Sequence, residues 1–160
     1  MIKEIENLIL SSSDIIKRSV NLSNQIETSV KTITECLRNE NKIIIFGNGG
    51  SAADAQHIAA EFIGRFKLER KSYPAIALTT DTSILTSLSN DYSSDVIFSR
   101  QCESLVSKGD IVIGISTSGN SKNVENGIVT AKEKGAITIG LLGNHGGALK
   151  NMVDIPLIVE

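Results

Sequence analysis

His57 and Glu61, four residues apart, are the first pair in the chain whose types and spacing could do chemistry. In a helix starting near Ser51, successive residues advance about 100 degrees, so Asp54, His57 and Glu61 fall in one narrow stripe. One imidazole and one carboxylate then point the same way. That is a common half-set of zinc ligands, and it also suits acid-base catalysis. By spacing alone a hydrogen-bonded surface pair is the better reading, because such residues often meet on helices. Position at the head of a ligand crevice reverses the preference. The other histidine, His145, sits in the glycine-rich stretch "GNHGGAL", where a loop is the default, and no chemistry is assigned to it.

A second group is the run "ISTSGNS", which puts the hydroxyls of Ser116, Thr117, Ser118 and Ser121 between an apolar run and a helical pattern. Hydroxyl and backbone donors at a helix start can hold a phosphate monoester without a lysine. Ordinary capping explains any one of these serines. Four hydroxyls in six residues favour an anion site. The third group is "GNGGS", residues 47–51, in a strand-turn-helix context. Gly47, Gly49 and Ala52 match the loose dinucleotide pattern, but the acidic residue expected about 20 positions on would fall in the charged loop "KLERK". A nucleoside-triphosphate loop is excluded by the absence of GxxxxGK[ST]. A plain tight turn is possible, yet glycines beside Asn48 leave backbone N–H groups open to a ligand.

Hydrophobic periodicity shows the elements that must position these groups. Ile2, Ile5, Leu8 and Ile9, then Leu22, Ile26, Val30, Ile33 and Leu37, predict two amphipathic helices over 2–37. From Lys42 the pattern becomes short apolar runs at 42–47, 75–80, 110–116, 136–142 and 154–160, which predict five strands. Helical stretches lie between them near 51–66, 82–89, 95–107 and 122–134. The first of these turns Ala55, Ile58, Ala59, Phe62 and Phe66 toward the sheet. The expected class is α/β, a doubly wound five-stranded parallel sheet in three αβα layers, preceded by two N-terminal helices. Ligands in such sheets bind beyond the carboxyl ends of the strands, so "GNGGS", "TTD" and "STSGNS" are expected to converge on one crevice.

The 160 residues suit a single domain, and 41% hydrophobic content supports a core. A net charge of -2, with 18 acidic and 16 basic residues dispersed, gives no footprint for nucleic acid or a membrane surface. Cys36 and Cys102 stand far apart and read as reduced structural thiols. Charges interrupt every apolar run of the opening segment, so neither a signal peptide nor a spanning helix is expected there. The expected setting is cytoplasmic.

The order and spacing of "GNGGSAADAQHIAAEFIGRF", "YPAIALTTD", "NDYSSDVIFSRQ", "GDIVIGISTSGNSKNV" and "AKEKGAITIGLLG" resemble the sugar isomerase (SIS) domain family. Within it, the chain is most similar to the enzymes that interconvert seven-carbon sugar phosphates. That resemblance implies isomerisation of sedoheptulose 7-phosphate to D-glycero-D-manno-heptose 7-phosphate, supplying heptose for bacterial lipopolysaccharide or capsule. It implies that Asn48, Gly49 and Gly50 line the substrate, that Ser116, Thr117, Ser118 and Ser121, with Ser51, hold its phosphate, and that Asn90 and Asp91 touch the sugar. It further implies zinc bound by His57 and Glu61, with Glu61 the candidate base, and a homotetramer whose active sites lie at subunit interfaces and whose N-terminal helices form a central bundle. Family chains continue into a helix bearing a Gln and a His that complete the metal and acid-base set, and the sequence to Glu160 does not include it. The rival is a non-catalytic SIS protein that binds the bacterial replication initiator, similar in "SAADAQH" and "IALTTD" but lacking a carboxylate at the position of Glu61. A sugar-phosphate-sensing regulator ranks third.

Overall fold

The computed structural model describes residues 1–159. Five strands, β1 (Ile43–Gly47), β2 (Ala75–Ala77), β3 (Ile111–Ser116), β4 (Ile137–Leu142) and β5 (Ile155–Ile158), form one parallel sheet in the order β2-β1-β3-β4-β5. The helices are α1 (Ile2–Arg18), α2 (Ser23–Arg38), α3 (Gly50–Ile63), α4 (Thr82–Asp91), α5 (Ser99–Leu105) and α6 (Lys122–Glu133).

Strand parity divides the core in two. Ile44, Phe46 and Val112 face α5 and α6, where they pack with Phe98, Cys102, Val124, Ile128 and Ala131. Ile43, Ile45, Ile111 and Ile113 face the other way, against Cys36 of α2 and Ala55 and Ala59 of α3. All five residues of β1 are buried, as a central strand covered on both faces requires. Phe46 stacks on Phe98 with ring centroids 4.8 Å apart, and Gly127 of α6 leaves room for that pair: a Cβ there would lie 2.7 Å from Phe46 Cζ.

Three local expectations are corrected. The third element ends at Ile63 rather than residue 66, because Gly64 leaves helical geometry (φ -81, ψ -119); Phe66 is therefore off the helix, 71% exposed, and not turned to the sheet. The strand at 75–80 stops at Ala77, and residues from Leu78 enter the turn that Asp81 ends by capping α4 through Ile84 N. The stretch 95–107 is a short 3-10 turn, Ser94–Val96, followed by α5. There the Asp95 carbonyl accepts from the Asn126 side chain at 2.9 Å instead of propagating a helix.

Cys36 and Cys102 are buried free thiols, and burial pushes the Cys102 thiol up to about 12, which leaves it unreactive. No residue of α1 is buried; Ile2, Leu8, Leu10 and Ile16 are largely exposed. Among the described residues no helix is long and apolar enough to cross a membrane.

Candidate active site

In this strand order the chain leaves β1 toward one edge of the sheet and β3 toward the other, so a crevice opens between their carboxyl ends. The glycine turn follows β1 and the serine loop follows β3. Gly47 lets them approach: a Cβ there would lie 2.8 Å from both Ile115 O and Ser51 Cβ. Gly49 has φ +56, a left-handed backbone that favours glycine, and it caps α3 without a side chain. A Cβ at Gly49 or Gly50 would meet nothing within 4 Å, so the turn faces open space. Asn48 and Asn123 join the two sides through a reciprocal amide pair, at 2.8 and 3.0 Å.

The four hydroxyls of the serine loop have different hydrogen-bond partners. Ser116 is buried, accepts from Gly119 N at 3.1 Å and lies 3.1 Å from the Ser121 hydroxyl. Ser121 is the N-cap residue of α6, yet its side chain caps nothing and turns to Ser116 instead. Ser118 Oγ accepts from Asn120 N, a local turn bond. The Thr117 hydroxyl is exposed and has no hydrogen-bonding partner among the described residues. Thr117 lines an open hollow of about 520 Å³ together with Ser51 and Asp54, under Leu22 and Ile26 of the N-terminal segment.

The segment "GNHGGAL" holds the back of this loop. Gly143 N donates to Ser116 O, Leu149 N to Gly119 O, and Ala148 N to Asn120 Oδ1 at 2.9 Å. The two backbones approach so closely that a side chain at Gly119 would collide with the Gly146 carbonyl. His145 sits at φ 59 within that turn.

Helix α3 carries the rest. Gln56, not anticipated from the sequence, donates to Thr79 O and Thr79 Oγ1 at 3.2 Å and fastens the "TTD" turn to the helix. His57 and Glu61 follow on one face, with His57 Nε2 3.4 Å from Glu61 Oε1. Glu61 Oε2 is buried and has no hydrogen-bond partner. This pair lines a separate hollow of about 370 Å³ with Ile58, Phe62, Phe66 and Arg70. Ten residues of helix put Glu61 about 15 Å along the axis from Ser51, less the lean of helical side chains toward the N-terminus. The structure thus brings the glycine turn, serine loop and "TTD" turn together, and sets the His57/Glu61 pair further along the same helix. Asn90 and Asp91, at the end of α4, hydrogen-bond each other at 2.9 Å, and among the described residues they make no hydrogen bond to either loop.

Glu61 Oε2, unpartnered beside an imidazole, is what a cation or a transferable proton would satisfy. The pair fits zinc as two of its ligands; among the described residues no group of three or more His, Cys, Asp or Glu side chains is placed to hold one metal ion.

Residues 9–143 match the SIS domain model. The phosphoheptose isomerase of Geotalea daltonii is 52% identical over 160 residues, covering 99% of this chain and 83% of the relative. That of Geobacter sulfurreducens is 54% identical over 86% of this chain and 73% of its own length. A solved phosphoheptose isomerase from Francisella tularensis superposes with a TM-score of 0.95 at 34% identity, covering 99% of this chain and 85% of that one. The phosphoheptose isomerase GmhA of Neisseria gonorrhoeae gives 0.92 at 39% identity, over 98% and 84%. The chain therefore belongs to the SIS domain family, among its phosphoheptose isomerases, and is an isomerase.

Proposed function

We propose that the protein converts sedoheptulose 7-phosphate to D-glycero-D-manno-heptose 7-phosphate through an enediolate, with Glu61 as the base. The single observation that carries this reading is the buried Glu61 oxygen with no partner, on the helix that opens at the two anion-suited loops. Interconversion of ketose and aldose needs a base to take a proton from the carbon beside the carbonyl and return it to the neighbouring carbon. Ser51, Thr117 and the loop N–H groups hold the distal phosphate, and Asn48, Gly49 and Gly50 pass the sugar chain along α3, so that its reacting end meets Glu61. Ser116, Ser118 and Ser121 contribute their hydroxyls to the same phosphate. Asn90 and Asp91 are sugar contacts in this reading.

His57 and Glu61 would hold zinc, which when bound supplies Lewis-acid polarisation of the sugar oxygens. The other ligands are the Gln and His that the family carries on a later helix. A carboxylate bound to a metal is a weaker base, so Glu61 serves one role at the expense of the other. The bare apolar face of α1 supports assembly into a tetramer. The cytoplasm and heptose supply for lipopolysaccharide or capsule complete the proposal.

Incubating the protein with sedoheptulose 7-phosphate, with and without zinc, tests it. Formation of the heptose phosphate is expected. No turnover under either condition, alongside tight binding of a replication initiator, would overturn it.

A further inference from the structure

The carbonyls that end α3 have no intrahelical partners, and Gly64 departs from the helix without a left-handed cap. A residue from outside the helix fills that gap. Arg70 Nη2 donates to the carbonyl of Glu61 at 2.7 Å, and Nη1 donates to those of Phe62 (2.8 Å), Gly64 (2.9 Å) and Lys71 (2.9 Å). Its guanidinium lies 4.5 Å over the Tyr73 ring, and Tyr73 N donates to Phe62 O at 3.1 Å, so the returning loop is anchored to the same turn. A cation here also meets the negative end of the helix dipole.

Two features tie this arrangement to the chemistry. Arg70 forms part of the wall of the hollow that Glu61 and His57 line. It grips the main chain of Glu61 and makes no ion pair with the carboxylate, so it holds the residue without consuming the open oxygen. A lysine could not reproduce the fork, since it has one nitrogen and the Glu61 carbonyl is met by a second, Nη2, while Nη1 meets the other three.

We infer that Arg70 is a positioning residue for the reaction: by capping the last turn of α3 it sets the direction of the Glu61 carboxylate. The inference rests on the reading of Glu61 as the base. A displacement of about 1 Å in a reacting group costs up to about 100-fold in rate.

The test is steady-state kinetics of Arg70→Lys and Arg70→Ala with sedoheptulose 7-phosphate, per folded active site, alongside thermal melting. The expected result is a fall in kcat of about 10- to 100-fold for Arg70→Ala and a smaller fall for Arg70→Lys, with KM within about twofold. Methylguanidinium added to Arg70→Ala should restore part of kcat. In a Glu61→Gln background, with residual turnover read over long incubations, Arg70→Ala should add less than about a twofold further loss. If Arg70→Ala does not fold, the Arg70→Lys split of kcat against KM decides. A wild-type kcat per folded site in the Arg70 variants, or a loss that persists in full on Glu61→Gln, overturns the inference. Wild-type turnover by Glu61→Gln alone would instead sink the underlying reading, so the two failures are distinguishable.

Discussion

The sheet treats Asp110 and helix α3 treats Glu61 in opposite ways. At the amino end, Asp110 is buried at the start of β3, and both its oxygens are engaged: Oδ2 by Lys42 Nζ at 2.6 Å and Ser107 N at 2.8 Å, Oδ1 by Lys42 N and Asn41 Nδ2. Burial would raise this carboxyl, but the bonds from Lys42 and Ser107 outweigh it and hold it below the ordinary range. Near the far end of α3, Glu61 keeps one oxygen buried and unbonded, and on the serine loop the exposed Thr117 keeps a hydroxyl with no partner among the described residues. A buried polar group kept for stability is satisfied within the fold, whereas one kept for a ligand is left open.

The largest expected effect comes from breaking the open carboxylate. Glu61→Gln should lower kcat by about 10²- to 10⁴-fold while sugar-phosphate binding stays measurable, and its melting temperature should not fall. Turnover assays with calorimetric melting check both halves. The satisfied carboxylate should behave inversely. Asp110→Ala strands three donors and a lysine, and should cost about 3 kcal/mol in urea denaturation while kcat per folded molecule is unchanged. Smaller still, Thr117→Val removes one hydroxyl proposed to hold the phosphate and should raise KM by roughly tenfold at constant kcat in steady-state kinetics.

The smallest effect concerns acid. Asp154 resembles Asp110: burial raises its carboxyl, but Lys132 and the Thr138 N–H and hydroxyl bring it below the ordinary value of 3.8. Both aspartates have folded values below their unfolded ones, so their stabilisation is fully present above about pH 4 and disappears as pH falls through the folded values. Asp154→Asn should flatten that acid slope in melting curves taken between about pH 2 and 5, with a modest loss of stability at pH 7 and little change at pH 2.

Much of the frame was legible because apolar runs of β-branched residues leave few choices for Ile43–Ile45 or Ile111–Ile113. The end of α3 was not, since the periodicity runs on to Phe66 and the cap arrives from Arg70, beyond the helix. The site was legible as residue types: a helix bearing His57 and Glu61, a glycine turn and a hydroxyl loop. The bonding among the hydroxyls was hidden, because Ser116 and Ser121 meet only once the loop closes. Asn123, the partner of Asn48, lies 75 residues away and carries no local signal.

The most direct measurement follows sedoheptulose 7-phosphate by proton NMR in D₂O. Wild type should exchange deuterium into carbon 1 of the ketose and carbon 2 of the aldose during turnover, and Glu61→Gln should leave recovered substrate unlabelled at a matched enzyme concentration. Exchange at an undiminished rate in Glu61→Gln would show that another group moves the proton, and the open carboxylate would lose its assigned task.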